Sequence, residues 1–107
     1  MYKAIHRFAR ISPRKVRLLA DLVRGKTADE ALNILRFQPQ RGARMLEKVL
    51  RSAMANAEDQ QASSVGQLIL VDVRVDGGPS MKRLRPRARG AASIYLRRMS
   101  HITVVLY

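Results

Sequence analysis

The chain has 107 residues, of which 47% are apolar and 5% aromatic, and it contains no cysteine. This length fits one domain with a thin core, and the apolar share is too high for a disordered tail. The lack of cysteine excludes disulfides, cysteine zinc sites and thiol nucleophiles. The net charge of +13 predicts a polyanionic partner, with nucleic acid the first candidate and an anionic membrane surface the second.

The basic residues are concentrated at the two ends of the chain. Residues 1–20 contain six basic residues and no acid, and residues 77–107 contain seven and no acid. Between them, eight basic and eight acidic residues cancel. No apolar run reaches the ~18 residues of a membrane span, and no signal-peptide core is present, so we expect a cytoplasmic protein without membrane contact.

The first elements predicted along the chain are a strand and a helix. The strand covers residues 2–11, with apolar positions at Tyr2, Ile5, Phe8 and Ile11. Ser12 and Pro13 suit the N-cap and first position of a helix that stops at Gly25. Its apolar stripe comprises Val16, Leu19, Ala20 and Val23.

Two further helices are predicted in the centre of the chain. Thr27 and Glu30 have the spacing of a capping box that opens the second helix, and Pro39 prevents its continuation. The third helix should run from about Gln40 to Asp59. Its apolar face comprises Ala43, Leu46, Leu50, Ala53 and Ala57.

Two strands and a long connection are predicted in the last third. One strand covers Val65 to Val75, with Ile69, Val71, Val73 and Val75 on one side. The last covers Ile94 to Leu106, with Ile94, Leu96, Ile102, Val104 and Leu106 on one side. The connection holds only two large apolar residues, so we expect a protruding hairpin at about residues 77–98. Roughly eight residues per arm, at about 3.3 Å each, would reach on the order of 25 Å.

Three groups of basic residues are candidate RNA contacts. Arg14, Lys15 and Arg17 lie at the start of a helix, where the helix dipole disfavours cations. A phosphate bound there would reverse that cost, and a solvated surface is the alternative. The run from Lys82 to Arg89 is rich in arginine, which grips phosphate and stacks on bases; a solubilising tail or a targeting signal is the alternative. For a third group on one helix face, RNA contact and ion pairing with Glu47 stay equally open: Arg44, Lys48 and Arg51.

Catalytic and metal chemistry find no support in the sequence. His6 and His101 are isolated from other ligand residues, and no nucleophile elbow or phosphate-binding glycine loop is present. The adjacent acid pairs at 29–30 and 58–59 fit helix ends and surfaces. There are two alternatives to an RNA-binding protein: a histone-like architectural DNA-binding protein, usually an obligate dimer, and a phosphoryl-transfer enzyme or nuclease.

Four segments together resemble one family: SPRKVRLLADLVRGK at 12–26, SAMANAE at 52–58, KRLRPRARG at 82–90 and SHITVV at 100–105. The chain resembles the bacterial form of the large-subunit ribosomal protein twenty-two family. The resemblance implies an α+β fold, in which a three-stranded antiparallel sheet packs against three helices and a long β-hairpin protrudes. It implies a non-enzymatic structural constituent of the large ribosomal subunit that binds and braces ribosomal RNA and supports assembly. It also implies that the hairpin runs along the nascent-peptide exit tunnel.

The expected partners are several domains of large-subunit ribosomal RNA, neighbouring ribosomal proteins and the nascent peptide. We expect no cofactor, metal or catalytic residue, no membrane contact and no obligate homo-oligomer. The tunnel-facing hairpin tip should comprise Met81, Lys82, Gly90, Ala91 and Ala92. The RNA-binding residues should be Lys3, Arg7, Arg10, Ser12, Arg14, Lys15, Arg17, Arg24, Lys26, Arg44, Arg83, Arg85, Arg87, Arg89, Arg97, Arg98 and His101.

Overall fold

A computed structural model describes the backbone of residues 1–86 and 92–107, and the side chains of these residues outside 81–97. The elements, in chain order, are β1 (Tyr2–Ala9), α1 (Pro13–Val23), α2 (Ala28–Arg36), α3 (Arg41–Asp59), a short 3-10 helix (Val65–Gln67), β2 (Leu70–Gly77), β3 (Met81–Pro86), β4 (Ala92–Arg97) and β5 (Ser100–Leu106). The predicted α+β class is confirmed, since three helices accompany a three-stranded antiparallel sheet.

The sheet has the order β1-β5-β2, so the last strand of the chain lies at its centre. Helix α3 packs on β1 and β5, and α1 packs along β2. The inward positions of β5 are fully buried at Ile102, Val104 and Leu106, as the alternation predicted. Apolar side chains from all three helices complete the single core against this face of the sheet.

The helices follow the local sequence signals closely. Ser12 occupies the N-cap position of α1, although its side chain makes no capping hydrogen bond, and Pro13 is the first helical residue. At α2, the backbone N–H of Glu30 donates to the Thr27 hydroxyl at 3.3 Å, which is one half of the predicted capping box. All five positions predicted for the apolar face of α3 are buried.

The strand predicted over residues 2–11 is present as β1 over Tyr2–Ala9, but its large apolar residues do not share one face. Ile5 and Phe8 are 40% and 56% exposed, whereas Ala4 packs on the core and Ala9 is buried. The large apolar residues of this segment recur every third residue, so they cannot share a face of a strand whose side chains alternate. In addition, the pairing with β5 shifts between His6 and Ala9, and this bulge moves Ala9 inward.

The face and start predicted for the second strand are also corrected. Residues 65–67 form the 3-10 helix, so β2 begins at Leu70. Ile69 and Val71 are 44% and 47% exposed, while Leu70 is buried. The register shifts between Leu70 and Asp72, and one extra residue in a strand exchanges its two faces. Beyond the bulge, Val73 and Val75 point inward as predicted.

The single strand predicted from Ile94 to Leu106 is two strands, because β4 ends at Arg97 and β5 begins at Ser100. Strand β4 pairs with β3 in a two-stranded antiparallel hairpin, from Met81 opposite Arg97 to Pro86 opposite Ala92. The three-stranded sheet ends where Gly77 pairs with Ser100. Three residues, 78–80, therefore face two, 98–99, where the sheet gives way to the hairpin.

The molecule is elongated rather than compact. Its Cα atoms extend over 63 × 24 × 16 Å, with a radius of gyration of 16.6 Å, where a compact domain of this length has about 13 Å. A hairpin that forms its own two-stranded sheet fits this shape. The predicted contacts Arg87, Arg89, Gly90 and Ala91 lie outside the described residues.

The core should fold without the hairpin. The sequence alone suggests deleting Met81–Ser93. Because β4 pairs with β3 as far as Arg97, the deletion that removes both hairpin strands is 81–97, with Ser80 joined to Arg98 through a short turn. Because β3 and β4 pair with each other in a sheet of their own and the β1-β5-β2 sheet includes neither strand, we expect the shortened chain to unfold cooperatively on heating. Loss of a cooperative thermal transition would show that the hairpin is part of the folding unit.

Candidate nucleic-acid interface

Both basic ends of the chain meet at one end of the sheet. Ala9 of β1 and Gly77 of β2 both pair with Ser100, the first residue of β5. The fully buried Ser100 hydroxyl also donates to the Ile11 carbonyl at 2.7 Å, which fixes the loop that leads into α1. The hairpin leaves the sheet at the same place. We call the exposed basic side chains grouped here the cationic end: Arg7, Arg10, Arg14, Lys15 and Arg98.

The first turn of α1 contributes two cations to this end and no acidic residue that would offset their charge. Arg14 and Lys15 are exposed, and this turn contains no acidic residue. The Ser12 hydroxyl makes no capping bond, so it can accept or donate elsewhere. Backbone N–H groups at a helix start and nearby cations attract the same kind of ligand, a phosphate.

Arg17 and Arg24 have intramolecular partners. The Arg17 guanidinium donates to the Val75 carbonyl at 3.0 Å, and that of Arg24 donates to the Val73 carbonyl at 2.6 Å. Both acceptors belong to β2, an edge strand of the sheet. Cationic side chains along an edge discourage pairing with a foreign strand. These two predicted RNA contacts therefore also hold α1 against the sheet.

Arg44 closes the C-terminal end of α2. Its guanidinium donates to the carbonyls of Leu35, Arg36 and Gln38, at 3.1 Å for Arg36 and 2.8 Å for Gln38. It also pairs with Glu47 at 3.1 Å, and Glu47 pairs with Arg51 at 2.8 Å, as the sequence spacing allowed. The helix-end carbonyls have no partner within the helix, so Arg44 satisfies acceptors that would otherwise need water.

A groove between β1 and α3 brings together cations that the sequence did not place side by side. Its volume is about 220 Å³, and its lining includes His6, Arg7, Lys48 and Ser52. The exposed Lys48 also borders the neighbouring depression on α3. The sequence left Lys48 open between RNA contact and ion pairing, and it did not point to Ser52. Only the packing of β1 on α3 reveals that both lie beside Arg7.

His101 supports the base of the hairpin. Its Nδ1 accepts the Phe8 backbone N–H at 3.1 Å, and its ring meets the Phe8 ring edge to face with centroids 5.0 Å apart. On the other side lies Gly78, where an added Cβ would sit 3.3 Å from His101 Nε2 and 3.4 Å from the Met99 carbonyl carbon. The glycine thus permits a close approach. An RNA contact by His101 stays a prediction.

The other predicted contacts are dispersed. Lys3 pairs with Val105 near the opposite end of the sheet, and the Lys26 carbonyl accepts from Leu70 at the start of β2. Both lysines are exposed, but neither belongs to the cationic end. Six predicted residues belong to the hairpin strands: Met81, Lys82, Arg83, Arg85, Ala92 and Arg97. The prediction that Met81 and Lys82 belong to the hairpin tip is wrong, because they pair with Arg97 and Leu96 at the base of the hairpin, next to the sheet.

Across residues 1–86 and 92–107, no group of three or more histidine, aspartate or glutamate side chains is arranged to hold a metal ion. In the same part of the chain, no helix has the length and apolar character needed to cross a membrane. The sheet with helices packed on one face, the cationic end and the hairpin together define a basic α+β protein whose surface suits a polyanion.

Comparison with known proteins gives the family. The profile of ribosomal protein L22p/L17e matches residues 4–107. A protein of Rhodopirellula baltica named large ribosomal subunit protein uL22 is 57% identical over 110 residues, which cover 98% of this chain and 92% of that protein. The protein of the same name from Caldicellulosiruptor saccharolyticus is 55% identical, covering 94% of this chain and 82% of its own. That from Geobacter sulfurreducens is 57% identical, covering 92% and 89%.

The chain belongs to the ribosomal protein L22p/L17e family. It is a structural constituent of the large ribosomal subunit in the cytoplasm, with ribosomal RNA and ribosomal proteins as its partners, and it is not an enzyme. This membership decides against both the histone-like DNA-binding protein and the nuclease that composition alone left open.

Arg44 should contribute to stability more than its exposure suggests. We expect Arg44→Ala to lower the free energy of unfolding by about 1–2 kcal/mol, because carbonyls at the end of α2 lose a charged donor. The matched control is Lys48→Ala, an exposed cation one turn further along α3, which should change it by less than about 0.5 kcal/mol. Urea unfolding measures both, and equal effects would contradict the capping role.

Proposed function

We propose that residues 1–107 form a single RNA-binding domain that braces large-subunit ribosomal RNA and supports assembly of the subunit. The observation that carries this proposal is the meeting of both acid-free basic segments at the hairpin end of the sheet. Clustered cations release counterions from an RNA backbone when they bind, which supplies affinity without sequence recognition.

Phosphates of the RNA are the proposed ligands of the cationic end. Its side chains are exposed, and the first turn of α1 adds backbone N–H groups. Lys48 and Ser52 extend this surface along the groove beside β1. Contact with several RNA domains is supported by the length of the molecule, because 63 Å exceeds the reach of a compact domain of this size. We propose that one copy acts within each subunit.

The hairpin, at about residues 77–98, is the part that we propose runs along the nascent-peptide exit tunnel. Support comes from the family and from the pairing of β3 with β4, which gives the arm a ladder of its own. Arg83 and Arg85 occupy alternate positions of β3, and Lys82 occupies an intervening one. Since alternate residues of a regular strand share a face, an arginine row on RNA would leave the other face for the peptide.

Binding to isolated large-subunit ribosomal RNA should depend steeply on salt. We expect log K to fall against log salt concentration with a slope of about −0.7 to −0.9 for each phosphate neutralised, and roughly six or more phosphates. Filter binding across low to physiological ionic strength measures the slope. Affinity that stays constant over this range would contradict phosphate binding as the main source of affinity.

Charge and tip changes in the hairpin should have separate effects. Reversing the charge of Arg83, Arg85 and Arg87 should lower incorporation into ribosomes or distort the local RNA. Changing Lys82 or the tip at residues 90–92 should leave incorporation intact and alter nascent-chain passage or the binding of small molecules lodged in the tunnel.

The measurement uses ribosomes purified with each set of substitutions. Occupancy of this protein is determined first, and peptide passage is then followed with a stalling reporter. The sets serve as controls for each other, because they lie in the same arm. Equal loss of occupancy in both, with unchanged passage, would show that the arm is an RNA anchor only.

A further inference from the structure

The bulge in β1 holds an aromatic residue in an uncommon backbone conformation. Phe8 has a φ of 58°, in the left-handed region, where a bulky non-glycine residue is rare. Such a conformation persists only where its surroundings hold it, and these positions concentrate at functional sites. The register shift between His6 and Ala9 is the local cause, since it removes Phe8 from the ladder with β5.

His101 supplies the support that this conformation needs. Its Nδ1 accepts the Phe8 N–H at 3.1 Å, so the amide released from the ladder keeps a partner. The two rings meet at an interplanar angle of 85°, which fixes the orientation of the phenyl group. Without the bulge, the strand would continue its alternation. With it, the ring is held in place beside the hairpin base.

The Phe8 ring is nevertheless open to solvent. The residue is 56% exposed, although burial of its ring would be favourable. It borders a groove of about 240 Å³ on the outer face of the sheet. The groove lining combines an aromatic ring, a cation, an acid and a hydroxyl: Phe8 with His101, Arg7, Asp76 and Thr103, beside Ile5.

This combination favours a base over a phosphate as the occupant. The Asp76 carboxylate would repel a phosphate in the groove, whereas it could accept hydrogen bonds from N–H groups on the edge of a base. A flat ring held in one orientation can stack on an unpaired base. Arg7 lines this groove and also the one beside α3, so it is placed to bind the adjoining phosphate.

We propose that Phe8 and His101 form a stacking site for one unpaired base of the large-subunit ribosomal RNA. The inference rests on the proposed function, because it assumes that the cationic end lies on RNA. It adds a different kind of contact, since stacking on an aromatic ring depends little on salt and the phosphate contacts depend on it strongly.

The chain offers a matched control for its own test. Phe37 is the second of its two phenylalanines and is 82% exposed, but it lies at the C-cap of α2 and does not line this groove. Phe8→Leu removes the aromatic ring and keeps an apolar side chain, Phe8→Tyr keeps a ring, and Phe37→Leu repeats the first change elsewhere. Thermal unfolding verifies that each variant is folded.

Affinity for isolated large-subunit ribosomal RNA is then measured against salt. We expect Phe8→Leu to weaken binding roughly five- to a hundredfold at every salt concentration with an unchanged slope, and Phe8→Tyr to retain it. Phe37→Leu should bind like the unaltered chain. If Phe8→Leu binds RNA as tightly as the unaltered chain, the stacking site is wrong and the proposed function stands. If the unaltered chain itself fails to bind, the proposed function fails.

A second measurement needs no variant and covers the case in which Phe8→Leu does not fold. Purified large subunits are irradiated with ultraviolet light, digested with protease and nuclease, and analysed by mass spectrometry. We expect a nucleotide adduct on Phe8 and none on Phe37. Adducts on other residues of this chain with none on Phe8 would overturn the stacking site, as would a crosslink from Phe8 to a neighbouring protein.

Discussion

The pairing of β5 with both of its neighbours is the contact on which the rest of the molecule depends. The last strand of the chain joins β1 and β2, and its inward face supplies Ile102, Val104 and Leu106 to the core. Its first residue, Ser100, is the point at which β1, β2 and the loop before α1 converge. Because the two basic ends of the chain are distant in sequence, only this pairing brings them to one place beside the hairpin.

The imbalance of charge explains the partners that several arginines take. Eight acidic residues cannot neutralise 21 basic ones, so most cations in this chain must find another kind of partner. Backbone carbonyls serve this purpose for three of them: those of the β2 edge accept from Arg17 and Arg24, and those at the end of α2 accept from Arg44. Arg24 and Arg44 also pair with Asp21 and Glu47, so for these two the carbonyls add to an acidic partner, whereas for Arg17 a carbonyl is the partner that the structure shows. The exposed cations of the cationic end are the ones that we propose bind the RNA.

Helices were predictable from the sequence because their signals are local, and strands were less so. The N-cap at Thr27 and the stripe along α3 depend on residues a few positions apart. The inward faces of β1 and β2 depend instead on where each strand slips against β5, which is decided by pairing between distant residues. One bulge exposes Phe8, and another exchanges Val71 for Leu70 in the core.

The candidate interface divides in the same way. Counting charges along the chain located the two basic segments, since that count needs no structure. It could not tell a cation that braces the fold from one that is free for RNA: Arg44 and Lys48 look alike in sequence, yet one caps α2 and the other lines an open groove. It also gave no weight to Phe8, an apolar residue in a basic segment. In a chain with this composition, cations and aromatics that the fold leaves unused are the informative ones. Unneutralised like charges repel one another in the folded chain, and an exposed ring forgoes the gain of burial, so both kinds of residue point to a contact outside the domain.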